Sequence, residues 1–103
     1  MNEISARGYL GKRVLIGMTY LDHDETLIAQ EQFHGVIVSI DDYGIVVKLH
    51  KSNEEFNLPP DLSALKKASK GEYRLNSTNE IVLDPDFLVR WTVIKPAPED
   101  VVH

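Results

Sequence analysis

The side chains able to do chemistry fall into three sets: histidines at His23, His34, His50 and His103, carboxylates gathered in short polar stretches, and one run of cations. Asp22, His23, Asp24 and Glu25 are metal-ligand types, because hard carboxylates suit calcium or magnesium and imidazole suits transition metals. Their spacing fits no calcium loop, and a hairpin tip in water routinely carries such residues, so no metal site is expected. The histidines are scattered, no serine stands in a glycine-rich elbow, and the chain has no cysteine. Nucleophilic catalysis therefore lacks its nucleophile. A hydrolase or transferase would need a cleft joining His34 or His50 to carboxylates. There is no phosphate-cradling glycine loop either, so the expectation is a protein with no catalytic residues and no cofactor.

Lys66, Lys67 and Lys70, with Arg74 close behind, form the clustered positive face, which could contact a phosphate backbone or an acidic partner and equally suits a solvated helix end. Tyr9, Tyr20, Phe33, Phe56, Tyr73, Phe87 and Trp91 are best spent in a core. Tyr43 differs: beside Gly44 at a turn it either packs locally or reaches a ligand or neighbouring subunit. A net charge of −5 works against unspecific binding to nucleic acid. The remaining acid also sits in turns, at Asp41, Asp42, Glu54, Glu55, Asp84 and Asp86. In an up-and-down arrangement the first and third turns share an end, which would make Asp22, Asp24, Glu25, Glu54 and Glu55 one negative pole.

These groups must be positioned by a chain of 103 residues with 43% hydrophobic and 26% charged composition. That is the size and make-up of a single globular domain, residues 1–103, with one core. The absence of cysteine suits a reducing cytoplasm, and neither a secretory leader nor a bilayer-length apolar run is present. A cytoplasmic protein without membrane association is expected.

Ile4, Ala6, Tyr9 and Leu10 lie at helical spacing, which predicts a short opening helix over Asn2 to Leu10. Val14 to Leu21 alternates with period two and reads as a strand, with Val14, Ile16, Met18 and Tyr20 on one face. After the turn at Asp22 to Glu25, a β-rich run from Leu27 to Ile40 is interrupted at Gly35, a position for a bulge or sharp bend. Asp41-Asp42-Tyr43-Gly44 is a tight turn, with Gly44 free to take a positive φ, leading to a strand over Ile45 to His50. Phe56 and Leu58 belong to a short strand ended by Pro59-Pro60. Asp61 caps an internal helix with Leu62, Leu65 and Ala68 on one face and Gly71 at its end. Glu72 to Leu75 and Glu80 to Leu83 form a hairpin, Asp84-Pro85-Asp86 turns the chain, and Phe87 to Lys95 is a core strand closing the sheet. Residues 96–103 read as a frayed tail. The fold class is all-β with two short helices, in a bent five-stranded barrel.

Two stretches, Leu10-Gly11-Lys12-Arg13-Val14-Leu15-Ile16 and Phe33-His34-Gly35-Val36-Ile37-Val38-Ser39-Ile40-Asp41-Asp42-Tyr43, resemble the first motif of the Sm and Sm-like proteins. The resemblance covers about half the chain, through roughly residue 50. It implies an Sm-like bent barrel whose free edges pair with neighbouring copies into a ring, a homo-oligomer that also protects those edges. It further implies contact with single-stranded RNA, carried over to Asp41 and Tyr43. The chain departs from the family by lacking an asparagine after Tyr43, and by placing Asp84-Pro85-Asp86 where the second motif has a basic residue and a glycine. The resulting expectation is a non-enzymatic assembly module that contacts RNA through Asp41, Tyr43, Lys66, Lys67, Lys70 and Arg74. The rival is an SH3-like barrel that grips a peptide or basic protein with the acidic pole and ignores nucleic acid.

Overall fold

The computed structural model describes residues 7–76 and 78–96. The chain is mostly β: β1 (Arg13–Leu21), β2 (Leu27–Asp41), β3 (Gly44–Leu49), β4 (Glu55–Leu58), β5 (Lys66–Lys67), β6 (Glu72–Arg74), β7 (Ile81–Leu83) and β8 (Phe87–Ile94). Six strands make one mixed sheet in the order β4-β3-β2-β1-β8-β5, and β6 pairs with β7 in a separate hairpin. β1 runs antiparallel to β2 but parallel to β8, from Val14↔Phe87 to Leu21↔Ile94. Among the described residues no helix is long and apolar enough to cross a membrane.

The period-two pattern of β1 puts Val14 and Ile16 at 0% exposure and Met18 at 8% on its inner face. Ile37, Ile45, Val47, Leu58, Leu65 and Val89 complete the core, with Tyr9, Phe33, Phe56, Phe87 and Trp91 packed against it. Each fully buried aliphatic side chain here contributes about 1.5–3 kcal/mol relative to exposure, so this cluster holds the fold. Tilted aromatic pairs, Tyr9 on Phe87 at 5.0 Å and Phe33 on Phe56 at 5.2 Å, close its flanks.

The sheet is open, which corrects the expected closed five-stranded barrel. β4 has four residues before Pro59 and Pro60, which lack backbone donors, and no pairing joins it to β5 among the described residues. The internal helix is also replaced. Asp61 does cap, its side chain accepting from Ser63 N at 3.0 Å, but only a single 3-10 turn over Leu62–Ala64 follows. Leu65 then becomes extended and buried, Lys66 and Lys67 pair with Leu88 and Phe87, and Ala68 N donates to Asp86 O at 3.0 Å. A segment this short is marginal as a helix, and pairing with β8 satisfies its backbone instead. The opening helix falls largely on residues 1–6, and the tail on 97–103, outside the described residues; from Gly8 to Gly11 the chain turns.

Gly35 and Gly44 are both needed, for one reason. A Cβ on Gly35 would stand 2.2 Å from Lys48 O, and one on Gly44 2.8 Å from Leu58 O. Gly44 is not at positive φ, so the expected reason for it is replaced by close approach of the neighbouring strand. At Gly35 β2 passes from pairing with β1 to pairing with β3, while the bulge itself lies three residues on, at Val38 between the Ile37↔Val47 and Ser39↔Val46 pairs.

β1 and the first half of β2 run on past the cover of β3, with Met18, Tyr20 and Trp91 still packed in or against the core. With β8 they form a three-stranded arm, Gly17–Leu21 flanked by residues 27–32 and 90–94. Because β3 joins β2 only from Gly35 and β5 joins β8 only at Phe87 and Leu88, no further strand pairs with residues 27–31 or 90–94 of this arm among the described residues.

Candidate functional site: two histidines and a glutamate beside a groove

His34, next to Gly35 on β2, and His50, following β3, meet because of that bulge. Counted back from the turn pair Asp41↔Gly44, His50 would face Gly35. The extra residue at Val38 shifts the register so that Gly35 pairs with Leu49, and His50 N donates to His34 O at 2.9 Å. Their imidazoles stack with centroids 4.8 Å apart and an interplanar angle of 28°.

Glu80 arrives from the hairpin β6–β7, which several contacts hold over this end of the sheet. Leu75 and Val82 are buried. Gln32 Oε1 accepts from Asn76 N, and the Arg13 guanidinium donates to Asp84 O. Gly71 and Asp84 bond in both directions, Gly71 N to Asp84 Oδ1 at 2.7 Å and Asp84 N to Gly71 O at 2.9 Å. Just before Glu80, Asn79 takes a left-handed φ of 61°. Glu80 Oε2 then lies 3.1 Å from His34 Nε2 and 3.7 Å from Lys51 Nζ. The His34 hydrogen bond holds the Glu80 carboxyl below its ordinary pKa, with Thr78 and Lys51 adding to the effect against partial desolvation. His34 and Glu80 are about one-fifth exposed, and His50 faces solvent.

One ligand atom from each of His34, His50 and Glu80 lies within 4.8 Å of the others. Both histidines also line a groove of about 670 Å³, whose wall includes Val36, Val38, Ile81 and Leu83, with Arg13 and Lys48 supplying positive charge. Glu80 is not part of the groove's wall, so the groove brings the two histidines to its surface while the carboxylate meets His34 beside it.

The residues singled out from the sequence are placed elsewhere, and not together. The Asp41 carboxylate accepts from Tyr43 N at 2.8 Å and Gly44 N at 3.1 Å, so it caps its own turn. Tyr43 is 95% exposed, which overturns the local-packing reading of its ring. Lys66 and Lys67 lie on β5 at the far edge of the sheet, with β1 and β8 between them and the β2–β3 turn, while Lys70 and Arg74 are exposed around the start of the hairpin.

The acid does not form one pole. Leu21 pairs with Leu27, whereas Leu49 pairs with Gly35, so the first and third turns are offset along β2 by about 26 Å at the usual rise per residue. Asp22 and Asp24 are engaged within their turn. Asp22 Oδ1 accepts from His23 N at 2.8 Å and lies 2.9 Å from His23 Nδ1, and Asp24 Oδ1 accepts from Thr26 N at 3.0 Å. These bonds lower both carboxyl pKa values.

Compared with known proteins, the chain matches no family model, no curated protein and no solved structure.

Proposed function

We propose that this chain is a non-enzymatic interaction module that assembles with copies of itself through its sheet edges, in the manner the Sm-like resemblance implies. The observation that carries the reading is the arm. Its two outer edges, β2 over residues 27–31 and β8 over residues 89–94, have no strand partner among the described residues and carry exposed apolar side chains at Leu27, Ile28, Val93 and Ile94. An unpaired apolar edge is a template for another strand. β2 and β8 run in opposite directions, so the β2 edge of one copy fits the β8 edge of the next in antiparallel fashion. Such head-to-tail pairing builds a ring when the rotation closes. Light scattering behind size-exclusion chromatography tests the reading: a defined oligomer is expected, and a monomer throughout a concentration series would remove it.

RNA contact is a second part of the proposal, favoured by Tyr43. A bare aromatic ring at a turn tip is a stacking surface for an unpaired base, and Lys66, Lys67, Lys70 and Arg74 are exposed cations for phosphates. Fluorescence anisotropy with labelled single-stranded uridine-rich RNA should show binding that weakens with salt and on Tyr43→Ala. Indifference to both would remove RNA from the reading. The rival, a basic protein gripped by one acidic pole, is disfavoured because the acid is divided between two distant turns.

A further inference from the structure

We propose that His34, His50 and Glu80 form a binding site for a borderline transition-metal dication, Zn²⁺ being the natural occupant. Two imidazoles and one carboxylate are a zinc-type ligand set that leaves a fourth position for water or another ligand. It is wrong for calcium or magnesium, which take predominantly oxygen shells, and it lacks the thiolate or thioether that selects Cu(I).

The geometry needs little change. Ligand atoms in a tetrahedral zinc shell stand about 3.3 Å apart, since each lies about 2.0–2.2 Å from the metal. His34 Nε2 and Glu80 Oε2 are already 3.1 Å apart, and the third ligand atom lies within 4.8 Å of both. That ligand is His50, whose exposed ring is stacked on His34 and must rotate off that stack to coordinate. Its backbone is fixed by the bond to His34 O, so the ring is held near the site without being locked in place.

Lys51 is the group the ion must displace. Its ammonium now lies 3.7 Å from Glu80, and with its side chain 69% exposed it can swing into water. Glu80 then exchanges a distant cation for a coordinated one.

Calorimetric titration of the tag-free chain with ZnCl₂ near neutral pH should give one ion per chain, with no response to MgCl₂. His50→Ala and Glu80→Gln should each weaken zinc binding at least about tenfold, and His23→Ala should leave it unchanged. His50→Ala removes an exposed side chain, and near-ultraviolet circular dichroism of Trp91 checks that each variant remains folded. Co²⁺ in place of zinc should show visible absorption that is lost in Glu80→Gln. The inference is overturned if folded wild-type chain takes up no zinc, if His50→Ala and Glu80→Gln bind as tightly as wild type, or if His23→Ala abolishes binding.

Discussion

The inner and outer ends of the same strands behave differently. At its start β1 is sealed, with Val14 and Ile16 at 0% exposure beneath Ile37, Ile45 and Val47. Further along, where β3 no longer covers β2, the apolar sequence continues but its cover does not, and Leu27, Ile28, Val93 and Ile94 are about half exposed. Alternation along a strand says which residues share a face. Whether that face is buried depends on a partner supplied from elsewhere in the chain, or from another chain.

The largest effect that sharpens this contrast should come from Ile16→Ala, which removes a fully buried side chain and should cost about 2–5 kcal/mol in urea unfolding. Ile28→Ala on the arm should change the stability of the dilute chain by less than about 0.5 kcal/mol. Equal losses would break the distinction between body and arm. Next, Gly35→Ala forces a Cβ against Lys48 O and should cost about 1–3 kcal/mol or more, whereas at Gly17 the nearest atom, Arg90 Cγ, stands at 3.7 Å and alanine should be tolerated.

A replacement that leaves the fold intact separates assembly from stability. Ile94→Lys should lower the mass seen by light scattering while leaving the thermal midpoint of the dilute chain nearly unchanged. An oligomer that persists would place the contact elsewhere.

The smallest effect concerns Glu80, whose depressed pKa means that its ionised form is favoured in the fold. Its contribution is fully present above the ordinary value of 4.5 and is lost as pH falls through the lower folded value. Glu80→Gln should therefore flatten the acid dependence of the thermal midpoint below that pH. An unchanged slope would mean that the contact with His34 stabilises nothing.

Much of the body could be read from the chain in advance. The alternation of Val14, Ile16 and Met18, the turn at Asp42-Tyr43, the stop at Pro59 and the last strand all arise from local pattern, and the structure follows them. The stretch after Asp61 misleads because helix-forming residues there are recruited as a short edge on β8, a tertiary demand with no local signature. The histidine site was hidden for a subtler reason. His34 and His50 flank a recognisable hairpin, yet symmetric counting from its tip sets His50 opposite Gly35, and only the bulge at Val38 brings the two rings together. Glu80 comes from a different hairpin altogether, and its approach depends on anchors such as the Arg13 and Asp84 contact that no spacing rule contains.

The parallel pairing of β1 with β8 has a consequence for how the chain is made. Its partners are separated by 73 residues, as are Arg13 and Asp86, where Arg13 N donates to Asp86 Oδ2 at 2.8 Å just ahead of the pairing. During synthesis β1 can pair with β2 soon after both emerge, but its other side waits until the 73 residues separating it from its β8 partners have also left the ribosome. Closing so long a loop before any contact rewards it makes this the slow step of folding. Until β8 arrives, the nascent sheet carries a bare edge along β1, open to neighbouring nascent copies of the same sequence.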